Sequence, residues 1–251
     1  MDHSAPRLVP RAPAAVARLG GPTLAFIVAI AVSIAWIAPF DRFFAEATFA
    51  LPALRAVLIV ALAAVGAWLA PRVSLEVGQH GLRRPLLFPL AVSLGVAVWC
   101  AAIDVAMVRR VGHAGAYAAL IQGGPLGPRL IYYSLRAFNE NVIYRLFATT
   151  LLAWAFARLA GHRRDPAPAA AIVAAVVIAQ LVNILGNVTF GGGPVTAFSV
   201  AYDSLRYIAP GIVWGLLYWR FGFVTTEIAC TSVHLFFQPL ASAGLTLIHG
   251  L

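Results

Sequence analysis

Three apolar stretches of this chain each carry a line of polar side chains at helical spacing, and chemistry has to be built from these residues. In the first, Tyr133, Arg136, Glu140 and Tyr144 follow one another by three and four, and Asn141 and Arg145 make an i,i+4 pair on the adjacent face. In the second, Gln180, Asn183 and Asn187 step by three and four. In the third, Glu227, Thr231, His234 and Gln238 step by four, three and four. An ionisable group at membrane depth costs roughly 2.5–3.5 kcal/mol or more unless it is paired, hydrated or turned into a bundle. One-sided stripes on three helices therefore predict a hydrated polar site enclosed between them. A sheltered carboxylate there is a general base, and positioned histidine and amide donors stabilise developing negative charge. Two other uses fit the same stripes: interhelical hydrogen bonds that hold a bundle together, and an ion or proton path.

The elements that must position these residues are long and apolar. The chain has 251 residues, 61% hydrophobic and 11% charged, with mean hydropathy +0.87, whereas a soluble domain is about a quarter charged. A bilayer-crossing helix needs about 20 mostly apolar residues. Such stretches fall near 22–40, 50–70, 86–107, 130–159, 168–189, 207–220 and 223–248. The fold class expected is all-α, a polytopic transmembrane bundle of about seven helices forming a single membrane domain. Residues 1–21 read as an N-terminal tail, and 22–129 as N-terminal transmembrane helices. The first apolar stretch ends in Pro39, Phe40, Asp41 and Arg42, unlike a small-residue cleavage site, so it reads as a retained helix. Gly191, Gly192, Gly193 and Pro194 cannot continue a helix, and 195–206 reads as interfacial around Asp203 and Arg206.

The net charge of +9 does not mark a nucleic-acid binder. Its basic residues, all Arg, sit mainly at segment ends, and no basic run interleaved with aromatics is present. They read instead as a topology signal. With a cytoplasmic N-terminus, the inside segments carry Arg7, Arg11 and Arg18, then Arg72, Arg83 and Arg84, then Arg163 and Arg164, and finally Arg220. The outside loop 108–129 breaks that pattern with Arg109, Arg110 and Arg129. An all-Arg, Ala-rich composition points to the cytoplasmic membrane of a high-GC bacterium. Cys100 and Cys230 lie inside apolar stretches and read as small hydrophobes.

Asn139-Glu140-Asn141-Val142-Ile143-Tyr144-Arg145 resembles the E-E-x-x-x-R signature of the CAAX protease and bacteriocin-processing (CPBP, or Abi) family of intramembrane endopeptidases. Downstream, 211–222 looks like that family's glycine-rich helix, and His234-Leu235-Phe236-Phe237-Gln238 is similar to its H-x-x-x-N. The likeness covers roughly 130–240 and makes 130–248 a CPBP-like core. It implies an endopeptidase that cleaves a peptide or protein at the membrane. Glu140 matches the glutamate that activates water, Arg145 the arginine closing the first motif, and His234 with Gln238 the oxyanion donors. Asn141 stands where the second Glu is expected. The second motif, F-x-x-x-H, falls on Asn183-Ile184-Leu185-Gly186-Asn187, with Asn187 in the place of a histidine. An amide orients a water but does not take its proton.

That substitution keeps two other functions in view: a catalytically impaired CPBP-like protein that binds or regulates, and a small transporter or channel. No cofactor is expected, and no metal, because Glu140 and His234 fall short of the three protein ligands usual in a catalytic zinc site. The partners expected are membrane lipid and a peptide or protein substrate at the membrane, with no nucleic acid. Among other polar residues, Asp104 reads as an interfacial ion pair with nearby Arg109, and Arg55 as a side chain snorkelling from its helix end. The six tryptophans fall mostly near span ends, as interfacial anchors do.

Overall fold

The computed structural model describes residues 20–37, 51–82, 84–110, 124–162, 166–187 and 195–249. Outside them lie most of the N-terminal tail, Asp41, Arg83, most of the loop from 111, the Arg163–Arg164 pair and the glycine run at 191–193. The described residues form helices and turns with no strand, in seven rods. These are α1 (Gly20–Ile37), α2 (Pro52–Leu69, with a 3-10 extension Ala70–Val73), α3 (Leu87–Met107) and α4 (Leu126–Leu159). They continue as α5 (Ala169–Asn187), α6 (Ala197–Asp203, Ser204–Ile208 and Ala209–Phe221 end to end) and α7 (Phe223–His249).

Four of the rods, α2, α3, α4 and α7, are long and apolar enough to cross a membrane; α1 and α5 are apolar but shorter. All seven lie where the apolar runs predicted them. The largest difference is at 195–206, expected as an interfacial stretch. There the helix starts at Thr196, whose side chain and that of Ser199 cap each other's backbone N–H, and continues unbroken into α6.

Two rods contain π-helical turns. In α4 these span Val142–Thr149, directly after Glu140 and Asn141; in α6 they span Ser204–Ile208. The second has a covalent cause. Ala209 N–H reaches back five residues to Ser204 O, and the next donor in that register is absent because residue 210 is proline. The orphaned carbonyls are taken by α3: Trp99 Nε1 donates to Leu205 O at 2.8 Å, and Cys100 Sγ to Arg206 O at 3.8 Å. Trp99, 46% exposed, is thus a donor to α6, while Trp214 is buried in the core and does not act as the surface anchor the sequence suggested.

Small residues let the rods approach. Gly66 faces the first π-helical segment, where an added Cβ would lie 2.5 Å from Leu146 O. α3 and α7 share the largest interface, with Ala97, Ala101, Ala229 and Ala241 in its core. Arg55 does not snorkel: it is 7% exposed, and its Nε donates to Ala35 O of α1 at 2.8 Å, satisfying a carbonyl near that helix's end. The loop after α2 is sewn to the α6–α7 turn. Phe223 N–H donates to Glu76 O at 2.9 Å, Val224 N–H to Val77 O at 3.1 Å, and His80 N–H to Phe221 O at 3.2 Å. Gly222 makes this possible, since its φ is +87° and a side chain there would overlap Gly78 O.

Candidate functional site

α4 and α7 run antiparallel. His234 stacks on Tyr133 with ring centroids 5.3 Å apart, and one stretch earlier on α7, Glu227 faces Asn141 and Arg145 further along α4. The first and third polar stripes therefore lie against each other. Gln238, one turn beyond His234, falls level with Arg129, one turn before Tyr133.

At the centre, Arg145 is 5% exposed and donates from Nη2 to Gln180 Oε1 of α5 at 2.5 Å. Gln180 Nε2 in turn donates to Tyr207 O of α6 at 3.1 Å. Three helices meet at this chain of bonds, and Gly211 makes room for it, because a Cβ there would overlap the Gln180 carboxamide. Asn183 is buried on the same face of α5, one turn on. The side chain of Asn187 lies outside the described residues.

Asn141 and Glu227 are both buried, yet neither atom of the Asn141 amide and neither oxygen of the Glu227 carboxylate has a hydrogen-bond partner. The two groups face each other without reaching hydrogen-bond geometry. Further along α7, Thr231 Oγ1, His234 Nδ1 and both amide atoms of Gln238 are likewise shielded and unbonded. Every member of the α7 stripe thus carries a shielded polar atom without a hydrogen-bond partner. Buried polar atoms in folded proteins are rarely left so.

Glu140 lies beside this seam, but its Oε1 accepts from Arg136 Nε at 2.6 Å. No hydrogen bond joins Glu140 to His234. Arg136 is what they share, being bonded to one and within electrostatic reach of the other. Of the expected site residues, Glu140, Asn141, Arg145, His234 and Gln238 are therefore gathered on the α4–α7 seam, and Asn183 lies on the helix that holds Arg145.

Two features escaped the sequence. Glu227 was visible as a member of the His234 stripe but had no role. Its signal was Arg145, a buried cation whose own helix offers only the neutral Asn141 one turn back. The other is a second buried cluster. Asp104, 1% exposed, accepts from Arg206 Nε and Tyr202 Oη, each at 2.8 Å. Arg206 also lies over the Phe237 ring, 4.2 Å from its centroid. Asp104 is thus part of a core ion pair with Arg206 of the second π-helical segment rather than a rim pair with Arg109. Cys100 and Cys230 are free and buried. Among the described residues, no three His, Cys, Asp or Glu side chains form a set that could hold a metal.

Compared with family models, curated proteins and solved structures, the chain shows no significant match to any.

Proposed function

We propose that this protein is a multi-pass integral membrane protein of the CPBP type, an intramembrane endopeptidase that cleaves a peptide or protein at the membrane with water activated by Glu140. The observation that carries this reading is the antiparallel α4–α7 seam. It brings the E-N-x-x-x-R segment against the H-x-x-x-Q segment and leaves the amides of Asn141 and Gln238 and Nδ1 of His234 unbonded inside the protein. In this mechanism Glu140 takes a proton from water, and the resulting hydroxide attacks the peptide carbonyl. His234 and Gln238 donate to the oxyanion, and Glu140 returns the proton to the leaving amine. Arg136 must release Glu140 first. The bacterial cytoplasmic membrane, with the N-terminus inside, is the location that fits the distribution of arginines.

A second reading, binding without turnover, is favoured by the 2.6 Å Arg136–Glu140 pair and by the amide residue at 187. The two separate in one experiment. Wild type and Glu140→Gln are expressed at equal levels in the native host, and protein N-termini and membrane-derived peptides are compared by quantitative mass spectrometry. Products that vanish in the variant support the protease. Matching profiles move the reading to binding.

A further inference from the structure

The mechanism above leaves Glu227 unused. It is the only acidic residue on α7, it is 6% exposed, and neither of its carboxylate oxygens has a hydrogen-bond partner. Its place follows from the packing of α7 on α4. His234 stacks on Tyr133 at 5.3 Å and the helices run antiparallel, so two turns back along α7 from His234 corresponds to two turns on along α4 from Tyr133. Glu227 therefore lies level with Glu140 and Asn141. Asn141 is 0% exposed with its amide unbonded, and Arg145 follows it by one turn. Both lie within electrostatic reach of the Glu227 carboxylate.

A guanidinium stays charged inside a protein, and a buried charge without a counter-charge is costly, above all at membrane depth. Arg145 is 5% exposed, and its hydrogen bond goes to a neutral amide, Gln180 Oε1. Two carboxylates lie within its electrostatic reach, Glu140 and Glu227. Glu140 holds Arg136 at 2.6 Å, and the nearby Arg206 is held by Asp104 at 2.8 Å. With those two pairs formed, Arg145 and Glu227 are the cation and the carboxylate left over in the middle of the seam.

We propose that Glu227 is ionised and is the counter-charge of Arg145, a positioning residue that ties α7 to α4 across Asn141. The carboxylate that the E-E-x-x-x-R motif carries at its second position stands here on α7, opposite the asparagine that replaced it. On α4 a glutamate at 141 pairs with Arg145 within one helix; from α7 the same attraction acts between two helices. It acts over more than a hydrogen-bond length, because little water is present in the interior to screen it. The register it fixes is the one that sets His234 beside Tyr133 and along the seam from Glu140. The ion pair is independent of peptide cleavage, whereas its value in placing His234 rests on the endopeptidase reading.

Glutamine has the shape of a protonated glutamate, so Glu227→Gln separates charge from packing. The purified full-length protein is melted in a neutral detergent near neutral pH. Glu227→Gln is expected to melt roughly 5 °C or more below the wild type. Adding Asn141→Glu returns a carboxylate to Arg145 and recovers most of that loss, and in an Arg145→Met background Glu227→Gln costs nothing further. The infrared difference between wild type and Glu227→Gln shows a carboxylate stretch. A protonated-acid carbonyl stretch in its place, a Glu227→Gln variant that melts with the wild type, or a loss that Asn141→Glu does not reduce overturns the ion pair. If Glu227→Gln does not fold, a folded Asn141→Glu/Glu227→Gln double variant supports the proposal and an unfolded one overturns it. Cleavage products seen in the Glu140 experiment fall by about tenfold or more in Glu227→Gln and return in the double variant. Unchanged products in a folded Glu227→Gln overturn the positioning role and leave the endopeptidase standing. A wild type without products removes the endopeptidase instead, and the melts and the spectrum still decide the ion pair.

Discussion

Gln180 of α5 occupies the volume that a side chain on Gly211 of α6 would need, and from that position it holds Arg145 and Tyr207 O together. Replacing Gly211 by Ala must push the carboxamide away from both partners. Gly211→Ala is expected to cost about 1–3 kcal/mol by overpacking. Gln180→Ala, which leaves Arg145 and a buried carbonyl without their partner, is expected to cost a similar ~1–3 kcal/mol. The two changes break the same bonds, so the double variant should be little worse than either single one. Denaturation in detergent checks this; strictly additive losses would show that Gln180 and Gly211 are not coupled.

The Asp104–Arg206 pair is buried and draws on two helices far apart in sequence. Asp104→Asn should destabilise by about 3–5 kcal/mol, because it strands a buried guanidinium. Adding Arg206→Met to that variant should recover part of the loss, since a missing pair costs less than a broken one. The order of the three melting temperatures decides the matter.

Tyr218 Oη and Thr150 Oγ1 are 2.9 Å apart in the core. Tyr218→Phe and Thr150→Val should each cost about 1 kcal/mol, and the double variant no more than the worse single, because removing both partners leaves no unbonded atom. A double-mutant cycle with no coupling would contradict the bond.

Two helical glycines should respond oppositely to the same substitution. Gly66→Ala drives a methyl group toward Leu146 O of the first π-helical segment and should cost about 1–3 kcal/mol. Gly95→Ala meets nothing within 4 Å and should be neutral or stabilise by up to about 1 kcal/mol, as a gain in helix propensity. Parallel melts of the two variants are the measurement, and equal responses would refute the α2–α4 close approach.

The rods were legible because long apolar runs bounded by Arg, Pro and Gly leave few alternatives. Their polar stripes were legible because helical spacing alone puts Glu227, Thr231, His234 and Gln238 on one face. What could not be read was which atoms each stripe would meet. Asp104 has an arginine five residues away, yet its partner is Arg206, 102 residues on. Arg55 looked close enough to a helix end to snorkel, but its partner is a carbonyl on another helix. The π-helical turns were hidden for a related reason: Pro210 announces a lost donor, but only the fold shows Trp99 and Cys100 taking the freed carbonyls. At 195–206 the helix itself was not read, because Asp203 and Arg206 lowered the apparent hydrophobicity of a segment whose charges turn out to be buried.

The seam between the loop at 76–80 and the α6–α7 turn sets a condition on how the chain is completed. The opening N–H groups of α7 are bonded to carbonyls that leave the ribosome long before α7 itself exists. This helix therefore finishes on a template that must be folded and waiting. A chain truncated ahead of Phe223 leaves that template bare, with the carbonyls of Glu76 and Val77 open to whatever donor a quality-control protein can offer.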